Sequence, residues 1–343
     1  MKILRRWLSC GVVMCALGLS GTAAAERQKI IFDCDLAGDI DDAFALALIL
    51  ASPEFEVLGI TVGHGDTQAR ARVACRMLYE VGREDIPVMV GRATAIIVGE
   101  EQELAPPSHQ AAWGEGFDRV RPSEEPAADF ILRMLHEQPH EIVLLTVGPV
   151  SNIQDVLERD PEALKLAKRV VSMFGSFYRG YGDDFVPAAE WNVRADVEAA
   201  KRFAASGAAI VYAGLDVTTF VKLDEASRQR LLLRNSPLTD AVCGLYSLWL
   251  DEEYAVADPT MFDGVAVGML LWPELFTTRP AHVRVLDGGY TTIDESQPSN
   301  AEVAMSIRKD EFLRRMMQRL LRQNLLRPED RSASASRTSR KSG

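Results

Sequence analysis

Apolar runs of strand length, each closed by Gly, Pro or Asp, recur along the chain and alternate with segments of helical period. The runs cover residues 30–32, 55–62, 86–90, 142–147, 170–174 and 209–214, and the helical patterns between them cover 43–50, 69–81, 128–137, 153–157 and 197–205. Parallel strands need long crossovers, and helices of this length supply them. The alternation therefore predicts an α/β fold: one mostly parallel open sheet with helices on both faces, whose ligands bind beyond the carboxyl ends of the strands. After residue 223 the pattern turns mostly helical, through 236–250 and 262–272, then two short strand-like runs and a helix at 310–325. No linker or internal repeat divides the chain. Residues 26–326 read as a single domain, and the Ser- and Arg-rich tail 327–343 reads as disordered.

At 343 residues and 47% hydrophobic content the chain can bury a large core, and its net charge of −11 argues against a nucleic-acid polymer as partner. Both ends are basic, so the acidity belongs to the body between them. Lys2, Arg5 and Arg6 precede an apolar run at residues 7–19 and the small residues Ala23-Ala24-Ala25, the pattern of a signal peptide at 1–25. The run is too short to cross roughly 30 Å of hydrocarbon. The expectation is an exported chain starting near Glu26, periplasmic or secreted, with no membrane association after cleavage. The three cysteines that remain, Cys34, Cys75 and Cys243, are too few for a disulfide framework.

The acidity concentrates between the first strand and the first helix, where Asp33, Asp35, Asp39, Asp41 and Asp42 fall within ten residues. Carboxylates so crowded repel one another unless protons or a cation offset them. All are hard oxygen donors with no Cys or His cluster nearby, a set suited to Ca²⁺ or Mg²⁺. The competing reading is that Asp39, Asp41 and Asp42 cap the helix starting near Ala43, which leaves Asp33 and Asp35 unexplained. An EF-hand fits poorly, since no helix precedes the loop and no ligand Glu closes it.

Asp33-Cys34-Asp35, then Gly38 and Asp41-Asp42-Ala43, resembles the amino-terminal signature of the calcium-dependent nucleoside hydrolases. The resemblance continues in order along the chain. Leu58-Gly59-Ile60-Thr61 with Gly65-Asp66 is similar to the family's second strand and turn, and residues 82–88 to its third-strand entry. Val147-Gly148-Pro149-Val150-Ser151-Asn152, Ala189-Glu190-Trp191-Asn192, Leu215-Asp216-Val217-Thr218 and the late Asp263 match later motifs.

The resemblance implies hydrolysis of the N-glycosidic bond of a ribonucleoside, with Ca²⁺ held by Asp35, Asp42, the carbonyl of Val147 and Asp263. Asp35 then doubles as the general base. Asp41, with Asp39 as the alternative for its role, and Asp66 would take ribose hydroxyls; Glu190, Asn192 and Asp184 would hold the 5′ end of the sugar. An oxocarbenium-like transition state would be stabilised by these carboxylates. Homo-oligomers, dimers or tetramers, are also implied. Glu190 and Asn192 can instead be turn residues, and Asp66 and Asp263 helix caps.

Two departures stand out. Five residues rather than three separate Asp35 from Asp41, and Phe262 occupies the place before the late Asp where the family carries a His linked to leaving-group activation. Phe262 has no proton to give. His64 and His109 can reach a base, although solvent-exposed loop positions are the simpler reading of both. Trp113, Tyr178, Tyr181, Trp191 and Tyr254 are candidates for stacking on it. Two other functions compete: hydrolysis of a different ribosyl or glycosyl compound, and calcium-dependent binding of a sugar or nucleoside without turnover.

Overall fold

The computed structural model describes residues 26–331; the signal-peptide expectation at 1–25 and residues 332–343 of the expected tail lie outside them. The elements run β1 Gln28–Cys34, α1 Asp41–Leu50, β2 Phe55–Val62, α2 Thr67–Glu80, β3 Val88–Val90, α3 Ala127–Glu137, β4 Ile142–Thr146, α4 Ser151–Arg159, β5 Arg169–Met173, α5 Trp191–Arg194 and α6 Val197–Ala204. They continue β6 Ile210–Ala213, α7 Leu215–Thr218, α8 Glu225–Arg234, α9 Pro237–Trp249, α10 Phe262–Leu271, β7 Phe276–Ala281, β8 Val283–Val285, β9 Thr291–Ile293, β10 Ala301–Ile307 and α11 Lys309–Arg322.

Eight strands form one sheet in the order β3-β2-β1-β4-β5-β6-β10-β7, parallel except for the β10–β7 pair. β1 and β4 are buried along almost their whole length, as strands covered on both faces must be. Two apolar cores lie on opposite faces, one built with α1, α2, α9, α10 and α11, the other with α3, α4 and α6. The strand order reverses around β1, so the loops after β1, β2 and β4 open side by side at one rim, the usual position for a ligand.

The carboxyl-terminal part differs from the sequence expectation. Instead of two strand-like runs it holds four strands, two of which pair as a separate ribbon while β10 and β7 extend the main sheet. The first residues of the expected tail are also placed: Arg327 and Arg331 pair with Glu80 and Glu84. Cys34, Cys75 and Cys243 are free thiols. No helix among the described residues is long and apolar enough to cross a membrane.

Candidate active site

Asp33 is the penultimate residue of β1, with Thr61 of β2 and Thr146 of β4 as its register partners. Both hydroxyls donate to its carboxylate, at 2.7 and 2.9 Å, and the Asn152 amide adds a third bond at 2.8 Å. Burial pushes its pKa up to about 6 even so. Asp33 therefore ties three strand ends and α4 together and does not join a cation cluster, contrary to the reading that groups all five first-loop carboxylates around one ion.

The next turn of chain carries the others into a pocket of about 470 Å³, within the range of small-molecule sites. Among the described residues one group of acidic side chains is arranged to hold a metal: oxygens of Asp41, Asp42 and Asp263 lie within 4.8 Å of one another, and all three residues are buried. Burial first, and then repulsion from neighbouring carboxylates, Asp39 for Asp41, Asp35 for Asp42 and Asp41 for Asp263, drive all three carboxyls well above the ordinary range. Three buried like charges in contact need a cation or protons.

The helix-capping alternative does not hold for the clustered residues. Ile40 is the N-cap of α1 and Met261 that of α10, and neither end has a side-chain cap bond. Asp263 is joined to Asp41 instead, its backbone N–H donating to Asp41 Oδ2 at 3.0 Å. Asp66 does cap α2, accepting from the Ala69 N–H, and lines the pocket as well.

Asp35, expected among the metal ligands, stands beside this triad. Its N–H donates to Asp42 Oδ1 at 3.2 Å, while its carboxylate lies 3.8 Å from the Arg70 guanidinium. Gly148 permits this placement: a Cβ there would sit 2.5 Å from Asp35 Oδ1. The Val147 carbonyl accepts the Asn192 amide at 2.6 Å, which leaves it a second lone pair. Asp39 lines the pocket without entering the triad, and burial raises it to about 6.

The first loop, two residues longer than the motif it resembles, has its carbonyls bound by side chains of which the sequence singled out only Tyr254, and that one for stacking. Arg70 donates to Asp35 O and Leu36 O, Ser108 to Ala37 O, and Gln110 at 2.9 Å and Tyr254 at 3.0 Å to Gly38 O. Ala37 adopts a φ of +69°, a conformation that needs such support in a non-glycine residue.

The other candidates separate clearly. Glu190 caps α5 and accepts from the Gly175, Asn192 and Val193 N–H groups; burial nonetheless lifts it to about 7. Asn192 directs its amide to Val147 O and Met173 O, leaving Oδ1 without a protein partner among the described residues. Trp191, Phe262, Tyr181 and Tyr254 line the pocket. Asp184 is exposed, bonds the Val186 N–H and does not reach it. His109 also lies outside, exposed and paired with Glu252. Trp113 stacks under Arg76, and Tyr178 bonds Arg279, so neither serves as a platform.

His64 lines the pocket but is only 2% exposed, so the exposed-loop reading is corrected. Thr94 Oγ1 donates to Ala95 O and accepts from the Gly65 N–H, so His64 Nδ1, at 3.0 Å, must donate to it. In the neutral ring the free lone pair is therefore on Nε2. Burial, then the charges of Arg70 and Arg92, lower its pKa to about 3. The unfolded chain therefore binds a proton that the folded one rejects, and stability is lost as pH falls below about 6.5, by roughly 2 kcal/mol at pH 5. The raised carboxylates titrate in the opposite sense, so the comparison is with His64→Gln: its urea-unfolding profile should be flatter between pH 7 and 5, and parallel profiles would refute the assignment.

Comparison with known proteins bears on the family and the fold. The sequence pattern described as inosine-uridine preferring nucleoside hydrolase matches residues 30–314. The pyrimidine-specific ribonucleoside hydrolase RihA of Citrobacter koseri is 31% identical over 310 residues, 85% of this chain and 97% of the relative. Uridine nucleosidase 1 of Arabidopsis thaliana is 30% identical, covering 84% of this chain and 88% of its own. Among solved structures, the plant nucleoside hydrolase PpNRh1 superposes with a TM-score of 0.74 at 24% identity, covering 86% of this chain and 99% of that one. The purine-preferring ribonucleoside hydrolase of Gardnerella vaginalis gives 0.73 at 23%, covering 86% and 98%. At these identities the structural matches speak for the fold.

Proposed function

The chain belongs to the inosine-uridine preferring nucleoside hydrolase family, and on that premise we propose that it is an exported, Ca²⁺-dependent enzyme splitting ribonucleosides into free base and ribose. The observation that carries the metal reading is the buried triad of Asp41, Asp42 and Asp263. Its donors are all hard oxygens, and the one neighbouring cation among the described pocket residues, Arg70, is too little to offset three carboxylates. Asp35 and the second lone pair of Val147 O would complete the donor set. When bound, the ion supplies a Lewis acid that lowers the pKa of water and gathers vicinal hydroxyls.

The remaining steps fall to the chain's own side chains. Asp35, braced by Arg70, takes a proton from the attacking water. Asp39 and Asp66 accept ribose hydroxyls, and Asn192 Oδ1 accepts at the end of the pocket that Glu190 shapes. The aromatic wall of Trp191, Tyr254 and Phe262 takes the base. Ionised carboxylates so near C1′ stabilise an oxocarbenium-like transition state and disfavour a phosphorylated substrate. Assembly as a homodimer or homotetramer is part of the proposal.

The test is release of reducing sugar from a ribonucleoside panel, with uridine first because the two curated relatives named above carry pyrimidine or uridine names. Turnover should vanish with chelator and return on adding Ca²⁺. Activity unaffected by chelation would sink the metal reading, and no release from any nucleoside would sink the hydrolase reading.

A further inference from the structure

Breaking an N-glycosidic bond leaves its electron pair on the base, and a base anion departs poorly unless a donor reaches it. The pocket is short of donors. Phe262 has none, His64 carries its proton on the nitrogen turned to Thr94, and the Trp191 indole cannot release its own. The Arg70 fork is committed to the carbonyls of His64, Asp35 and Leu36. The hydroxyls of Ser108 and Tyr254 donate to Ala37 O and Gly38 O.

Tyr181 is different. Its hydroxyl oxygen accepts the Trp191 N–H at 2.8 Å, a bond whose direction leaves the phenolic proton with no acceptor among the described residues. Its ring packs edge-on against Phe262, with centroids 6.1 Å apart, immediately before Asp263 of the triad. Tyr181 lines the same pocket as Asp39, Asp41 and Glu190, so the phenol shares the cavity that holds the proposed sugar and metal carboxylates. The loop that carries it is held at both ends: Asp216 accepts from the Phe177 and Tyr178 N–H groups at 2.9 and 2.7 Å, and Thr219 from that of Gly182 at 2.7 Å.

We propose that Tyr181 is the catalytic residue that protonates the departing base. The role rests on the nucleoside hydrolase reading above. As the C1′–N bond breaks, its electron pair passes to the base, which takes the Tyr181 proton on nitrogen or on a conjugated carbonyl oxygen. Water adds its oxygen to C1′ and gives its proton to Asp35, which returns it to solvent, and the phenolate regains a proton from solvent. One water is consumed, and neutral base and ribose leave.

The test compares Ca²⁺-loaded wild type and Tyr181→Phe on uridine or inosine and on p-nitrophenyl β-D-ribofuranoside, whose leaving group needs no proton. On the nucleosides kcat should fall by about 10²-fold with KM little changed. On the nitrophenyl riboside the two enzymes should agree within roughly threefold, an internal control for folding. An equal loss on both substrates, no loss on either, or the nucleoside-selective loss appearing in Asp39→Asn instead of Tyr181→Phe would overturn the proposal. A wild type inactive on every nucleoside overturns the hydrolase reading and this role with it. An active wild type matched by Tyr181→Phe overturns this role alone.

Discussion

Asp42→Asn should abolish most turnover and, in the absence of metal, make the protein more stable. The two effects have one cause. Asn keeps the oxygen that accepts the Asp35 N–H but removes one of three charges crowded within 4.8 Å. Without a cation that charge is a liability, and replacing a buried, uncompensated ion by a neutral isostere should stabilise the chelated protein by about 1–2 kcal/mol. With the cation the charge is the point of the site. A ligand present at 100 times its Kd stabilises the folded state by about 2.7 kcal/mol, and that gain should shrink or disappear in the variant. Activity should fall by at least about 10³-fold, equivalent to about 4 kcal/mol of transition-state stabilisation. The measurement is thermal unfolding with chelator and with Ca²⁺, beside kcat on a nucleoside. An unchanged metal-induced shift in the variant would mean that Asp42 is not a ligand.

The same triad marks the limit of what the residues revealed on their own. The β1 to β6 core is legible because fully buried parallel strands must be continuous apolar runs, and the carboxylate loop is conspicuous because five acids in ten residues have no ordinary structural use. The sequence does not tell which of them converge. Asp33 and Asp35 are neighbours but one, yet Asp33 lies within β1 and is held by Thr61, Thr146 and Asn152, while Asp35 lies beyond the strand's end and meets Arg70. The backbone path brings Asp41 and Asp42 of α1 against Asp263 of α10 and leaves Asp39 aside, which composition does not announce. Asp184 and His109 carry the right chemistry on loops that point elsewhere. The carboxyl-terminal strands are harder to read, since β7 and β10 are half-exposed and polar residues interrupt their apolar pattern. Asp216, matched only as part of a motif, acts by holding a loop, which no local pattern announces.

Arg70 was invisible for the same reason: an arginine on an amphipathic helix reads as solvated surface. In the structure its side chain is 14% exposed, its Nε donates to His64 O at 2.8 Å, and its Nη1 donates to Leu36 O at 3.0 Å and to Asp35 O. It is the cation that the protein itself supplies to the pocket, and it fixes the loop that aims the carboxylates. Arg70→Met would leave Asp35 with no counter-charge and three carbonyls without their donor, and removal of one partner from a buried charged network costs about 3–5 kcal/mol. Lys at this position keeps the charge but not the planar fork that spans carbonyls from two loops, so Arg70→Lys should recover only part of the loss. The expected order in urea unfolding is wild type, Lys, Met. Added Ca²⁺ should not restore the Met variant to wild-type stability, since a bound ion does not replace donors to His64 O and Leu36 O. This response is opposite to that of Asp42→Asn, where the metal-free protein gains stability. If Arg70→Met unfolds within about 1 kcal/mol of wild type, the first loop holds its shape without this brace, and Ser108, Gln110 and Tyr254 become the residues to remove next.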